Sequence, residues 1–130
     1  MASEVKVVDA SAMAALLFNE PRADEIASGL GEGELAAPTL LRYEIGSVCL
    51  KKIERYPARR GALLRALSFM DGMNMHELEV RLGEVVALAR RERLTVYDAS
   101  YLWLARALDA ELVTLDERLS RAASRSARPG

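Results

Sequence analysis

Residues 94–119 read LTVYDASYLWLARALDAELVTLDERL, and this stretch decides the fold. Helix formers run from Thr95 to Leu108, and a strand, Glu111-Leu112-Val113-Thr114-Leu115, comes soon after. Asp98 stands three residues after Thr95, and Asp116 closes the strand. Working outward, the same arrangement recurs. Val5-Lys6-Val7-Val8 is a short β-branched run that stops at Asp9, and Ala12 to Phe18 continues as helix. Pro21 suits the first turn of a second helix through Leu30, bounded by Gly29 and Gly31. Glu34 to Ala37 reads as a second strand, ended by Pro38. Thr39 opens a long amphipathic helix that carries Glu44, with Leu41, Ile45, Val48, Cys49 and Ile53 at three- and four-residue spacing. Ala58 to Met70 is a further helix, Asp71-Gly72 a turn, and Met73 to Leu78 an exposed strand. Val80 to Glu92 is helical, with Leu82, Val85, Val86 and Ala89 on one face, and Asp116 to Ala123 is a short last helix.

Strands separated by helices, without tight hairpins, argue for an α/β fold. The expected core is a parallel sheet of about four or five strands, covered by helices. In open sheets of this kind ligands bind beyond the carboxyl ends of the strands. Asp9 and Asp116 fall at that end, and Glu44 and Asp98 fall early in helices, so all four acids could face one crevice. Each also has a plain structural reading. Asp9 and Asp116 could cap helices, Asp98 has capping-box spacing to Thr95, and Glu44 could be solvated. Four independent caps need not lie at one end of a sheet, so together the acids favour a shared site. Their mutual repulsion would call for a divalent cation, which points to a metal-dependent hydrolase.

The chain has 130 residues, 51% of them apolar, and a net charge of −1, enough for one domain with a real core and no global sign of nucleic acid. We expect one domain over residues 1–123 and a disordered basic tail over 124–130. Charge is uneven: residues 1–50 hold eight acids against three bases, and residues 51–70 hold six bases against Glu54. Cys49 is the only cysteine, which excludes an intrachain disulfide and fits a small core residue in a reducing cytosol. No stretch approaches the ~18–20 apolar residues of a membrane span, and residues 1–11 lack the pattern of a signal peptide. The expected location is cytoplasmic.

VVDASAMAALL (7–17), PTLLRYEIGSVC (38–49) and the 94–119 block together closely resemble the PIN domain, in the small form of VapC-type toxins. The resemblance spans residues 5–119 in order. It implies a three-layer fold, an acidic pocket for Mg²⁺ or Mn²⁺, endoribonuclease activity, a cognate antitoxin and, commonly, a homodimer. Position by position, the family's acids fall on Asp9, Glu44, Asp98 and Asp116, its small polar residue on Ser11, and the Thr of its T-x-D element on Thr114. Two departures stand out: no apolar run follows the last helix to build a final strand, and residues 51–75 match poorly.

On this reading Asp9, Asp98 and Asp116 are metal ligands. Glu44 holds a water or a second ion, while Ser11 and Thr114 support the carboxylates. With one histidine, His76, and one cysteine, a zinc site rich in nitrogen or sulfur is out of reach, and His76 reads as an ordinary surface residue. An acidic pocket must hold RNA by other groups, and Arg42, Lys51, Lys52, Arg55, Arg59 and Arg60 are candidates, as are Arg90, Arg91 and Arg93. Tyr97 and Tyr101 flank Asp98 and could stack on a base, although Tyr101 is rather expected to pack inward, and Trp103 could sit at an interface. The rival readings are a Mg²⁺-dependent phosphatase or a nuclease of other substrate class, and a non-catalytic RNA-binding or scaffold module. The phosphatases that form an aspartyl-phosphate need a second aspartate where Ser11 stands.

Overall fold

A computed structural model describes residues 4–126. Strand β1 (Val5–Val8) leads through α1 (Ala10–Leu17) and α2 (Ala23–Leu30) to β2 (Glu34–Pro38). Helices α3 (Leu41–Arg55) and α4 (Arg60–Ser68) precede β3 (Met75–Leu78). Then come α5 (Leu82–Glu92), α6 (Val96–Leu108), β4 (Glu111–Val113) and α7 (Glu117–Ser126). The four strands form one sheet in the order β3-β2-β1-β4, with every neighbouring pair parallel. The expected α/β architecture therefore holds, as a three-layer arrangement of sheet and flanking helices.

The strand order positions the site. From β1 the chain builds outward through β2 to β3, then returns across the sheet to place β4 on the other side of β1. The order reverses between β1 and β4, and such a switch point opens a crevice beyond the carboxyl ends of the strands. Asp9 follows β1 and Asp116 lies just past β4, so both acids stand at this crevice.

The β-branched side chains that made β1 legible are its buried ones: Val7 and Val8 have no exposed surface. Helix α1 buries Met13, one of the largest fully buried side chains, together with Ala12, Ala14 and Ala15, small residues that let the helix lie close to its neighbours. Leu41, Ile45 and Cys49 of α3 point into the same core, as do Leu102, Leu104 and Ala105 of α6, which packs across β1, β2 and β4. Each large apolar side chain buried this way contributes roughly 1.5–3 kcal/mol. Gly33 is required where β2 begins: a Cβ there would stand 2.3 Å from the Glu4 carbonyl oxygen, which accepts from the Glu34 amide.

Several expectations need correction. The helix expected over 58–70 is broken into 3-10 turns at Pro57–Arg59 and Phe69–Gly72 on either side of α4. The core face of α5 is Val85, Leu88 and Ala89, whereas Leu82 and Val86 are 62% and 50% exposed, because α6 packs on the other side of the stripe. β4 ends at Val113 because the next residues bond elsewhere, the Leu115 amide to Ser11 Oγ and the Thr114 hydroxyl to Asp9. The tail expected from Ser124 is helical through Ser126, and Arg125 is tied to Glu92 at 2.9 Å. Residues 127–130, and with them the rest of the tail, lie outside the described residues.

Candidate active site

Asp9 is the centre of the acidic crevice. It is 3% exposed and caps α1, its Oδ1 accepting from the Ala12 amide at 2.9 Å and from Ser11 Oγ at 2.8 Å. The Thr114 hydroxyl donates to Oδ2 at 2.5 Å, and the same hydroxyl oxygen accepts from the Asp116 amide at 3.0 Å. Ser11 and Thr114, the supporting hydroxyls expected from the sequence, thus lace β1 to the segment after β4. Burial pushes the Asp9 carboxyl above its usual range; the Thr114, Ala12 and Ser11 bonds oppose this, and nearby Asp116 adds to it.

The other acids surround it from three elements. Asp98 lies in the first turn of α6, where the Thr95 side chain caps the helix by accepting from the Asp98 amide at 3.0 Å. The Thr95 side chain also bonds the Asp98 carboxylate, which works to lower its pKa. Partial burial raises the Asp98 pKa, and Asp116 and Asp9 raise it further. Glu44, in the first turn of α3, is raised by burial, then lowered by a bond from Tyr101 and raised again by Asp98 and Asp9. Asp116 is exposed and accepts from the Leu119 amide at 2.9 Å, capping α7. The structure therefore brings Asp9, Asp98, Asp116 and Glu44 into one mutually repelling group. A cavity of about 500 Å³ lies elsewhere, at the start of β4 beside Ala110 and Glu111, and includes none of these acids, whereas one of about 250 Å³ is lined by Thr114 and Asp116.

No Lys or Arg lies within salt-bridge distance of any of the four acids among the described residues. A buried carboxylate without a cation is costly, and an all-oxygen donor set of this kind suits a hard divalent ion. Among the described residues, however, no three acids are arranged to grip an ion directly. The donor chemistry thus fits Mg²⁺ or Mn²⁺ held by one or two carboxylates with water completing the shell, the mode Mg²⁺ favours.

The sequence profile of the PIN domain matches residues 6–125. The chain belongs to the PIN domain family. Ribonuclease VapC3 of Pyrobaculum aerophilum is 33% identical over 119 residues, which cover 88% of this chain and 91% of that one. Ribonuclease VapC9 of Mycobacterium tuberculosis is 36% identical over 119 residues, 88% of this chain and 87% of its own. The crystal structure of PAE2754 from Pyrobaculum aerophilum matches with a TM-score of 0.70 at 28% identity, covering 98% of this chain and 100% of that one.

The basic residues of this PIN domain are arranged less simply than its acids. Arg42 donates through Nε to both Glu77 oxygens at 2.7 Å and through Nη1 to Asp71 at 3.0 Å. Lys52 binds Glu20 at 2.8 Å and lies over the Phe18 ring. Arg55 stacks on Tyr56, while Lys51, Arg59 and Arg60 are exposed. Arg90, Arg91 and Arg93 are exposed at the end of α5. Trp103 is half-buried and bonds Glu84 at 3.0 Å, bridging α6 to α5, and His76 is an exposed strand residue beside Glu34. Sequence reasoning missed three neighbours of the acids. Tyr43, 81% exposed, directly precedes Glu44 as exposed Tyr97 precedes Asp98; Arg118 lowers the Asp98 pKa; and Tyr101, read as a ring that packs inward or stacks on a base, holds Glu44.

Proposed function

We propose that this PIN domain is a divalent-metal-dependent endoribonuclease of the VapC toxin type, acting in the cytoplasm and neutralised by a cognate antitoxin. The observation that carries the reading is Asp9. It is buried at the β1–β4 switch point, within the electrostatic reach of Asp116, Asp98 and Glu44, and has no Lys or Arg ion-pair partner among the described residues. Relatives named VapC ribonucleases, aligned over 88% of the chain, support RNA as the substrate.

In this reading Asp9, Asp98 and Asp116 hold Mg²⁺ or Mn²⁺, one or two of them directly and the rest through water, and Glu44 orients water. The bound ion supplies Lewis acidity, acidifying water and offsetting negative charge on the phosphate. Ser11 and Thr114 fix Asp9 so that its remaining acceptor capacity faces the crevice. RNA is held on the flank by Arg42, Lys51, Lys52, Arg55 and Arg59. Of these, Arg42 and Lys52 must exchange an acid partner for phosphate, while Lys51 and Arg59 are presented to solvent. Tyr97 offers a face for base stacking beside Asp98. A homodimer is part of the same proposal, as is a single domain over residues 1–123.

The test is incubation with RNA and Mg²⁺ or Mn²⁺, with chelator and Asp9→Asn as controls, followed by mapping of the new ends. Discrete cuts that vanish in both controls support the reading; decay that persists in chelator removes it. A second reading, a non-catalytic PIN-fold scaffold, is favoured by one observation: among the described residues no three acids are set to grip an ion as they stand. A scaffold would show no change in melting temperature on divalent-ion titration.

A further inference from the structure

Tyr101 stands three residues after Asp98 on α6 and is 1% exposed. Its phenol donates to Glu44 Oε1 at 2.5 Å, across 57 residues of sequence. No other hydrogen bond or ion pair reaches the Glu44 carboxylate among the described residues. A glutamate in the first turn of a helix, tethered by nothing else, would sample several rotamers. The buried phenol has the opposite constraint: its ring is immobilised by packing and its hydroxyl needs an acceptor. The rigid partner therefore sets the position of the mobile one.

We propose that Tyr101 is a positioning residue for the reaction, holding Glu44 by Oε1 so that Oε2 is presented to the space shared with Asp9 and Asp98. The inference rests on the nuclease reading above. Its consequence is that α6 sets two acids at once, Asp98 from its own first turn and Glu44 through the phenol one turn later. Any shift of α6 against α3 then moves both acids together.

Tyr101→Phe keeps the ring and removes only the hydroxyl. Three readouts decide its role: steady-state cleavage of an oligoribonucleotide with Mn²⁺, Mn²⁺ affinity from the resonance signal of the free ion, and melting temperature in chelator. We expect kcat to fall about 10- to 100-fold and Mn²⁺ affinity to fall with it. KM for RNA should stay within about twofold, because the loss lies in the chemical step. In a Glu44→Ala background, Tyr101→Phe should change neither Mn²⁺ affinity nor rate further, since its effect passes through Glu44. An unchanged kcat and Mn²⁺ affinity in Tyr101→Phe overturns the proposal, as does an equal loss in the Glu44→Ala background. Should Tyr101→Phe fail to fold, Glu44→Asp decides: it keeps the charge but draws it away from the phenol, and full activity there overturns the proposal. If the wild type binds Mn²⁺ but cuts no RNA, the nuclease reading falls, while the Mn²⁺ affinities still decide whether Tyr101 positions Glu44.

Discussion

Acids at the β1–β4 crevice and bases along α3 are handled in opposite ways. Among the described residues Asp9, Asp98, Asp116 and Glu44 share one region in which none has an ion-pair partner, and burial and mutual repulsion raise the pKa of Asp9, Asp98 and Glu44. Arg42 and Lys52, by contrast, are each given to acids from distant segments: Arg42 to Glu77 and Asp71, Lys52 to Glu20. Among the described residues no Lys or Arg forms an ion pair with these acids, and Arg118 only lowers the Asp98 pKa through its charge. Repulsion left in place at a strand-order switch point is what the proposed metal-dependent reading needs, whereas the paired bases tie the fold together.

The strongest way to break this comparison is Asp9→Asn. The amide can still accept from Ala12 and Ser11, and the Thr114 hydroxyl can turn to accept from it, so the fold should survive and melt no lower in chelator. RNA cleavage should fall by at least about 10²–10³-fold, the scale seen when one preorganised charge-stabilising group is lost. Melting curves and cleavage rates check both halves; an unfolded Asp9→Asn protein would make the carboxylate structural.

Thr114→Val should have the next largest effect. It removes the donor to Asp9 Oδ2 and the acceptor of the Asp116 amide while keeping the shape of the side chain. Activity should drop about tenfold to 100-fold, as for other groups that orient a metal ligand. Stability should fall by about 1–3 kcal/mol, since a buried carboxylate loses a bond. Denaturant titration and initial rates measure the two; wild-type activity would detach Thr114 from the site.

Much of the acid side was legible in the sequence. Strand ends and helix starts are written locally, in β-branched runs and cap spacing, and the acids occupy those punctuation points. The pairing of Thr95 with Asp98 was legible too, though not its form: the Thr95 side chain accepts from the Asp98 amide and also bonds the Asp98 carboxylate. What local patterns do not carry is who meets whom across the fold. The bond from Tyr101 to Glu44 spans 57 residues, and the Arg42 ties reach Asp71 and Glu77, 29 and 35 residues away. The apolar stripe of α5 offered two faces by spacing alone, and only the placement of α6 chose Val85, Leu88 and Ala89 over Leu82 and Val86.

Proton linkage sharpens the same contrast with a smaller effect. Because the carboxyls of Asp9, Asp98 and Glu44 are raised, the folded chain holds their protons more tightly than the unfolded chain does. That contribution to stability is fully present below the ordinary carboxylate range and is lost as pH rises through the raised values. In chelator, melting temperature should therefore decline as pH is raised above the ordinary carboxylate range. Glu25, held low by Arg22, acts in the opposite sense, losing its contribution only as pH falls through its lowered value. Asp98→Asn should flatten the decline, and so should added Mn²⁺. An identical slope in all three conditions would mean the acids do not feel one another.

The smallest effect should come from the basic flank. Arg42 is 41% exposed and its partners Asp71 and Glu77 are 73% and 25% exposed, so solvent screens much of the attraction. Arg42→Ala should cost no more than about 1 kcal/mol of stability. If Arg42 serves mainly as a tie between α3, β3 and the 3-10 turn, KM for RNA and its salt dependence should barely move. Lys51→Ala, at an exposed lysine, should instead raise KM modestly and lower the slope of log affinity against log salt by about 1, the signature of one lost phosphate contact. Binding titrations of the inactive Asp9→Asn protein at several salt concentrations separate the two residues. A larger loss of salt dependence in Arg42→Ala than in Lys51→Ala would reverse the assignment: Arg42 would then leave Glu77 for phosphate when RNA binds, and the division between tie and grip would fail at its best-paired member.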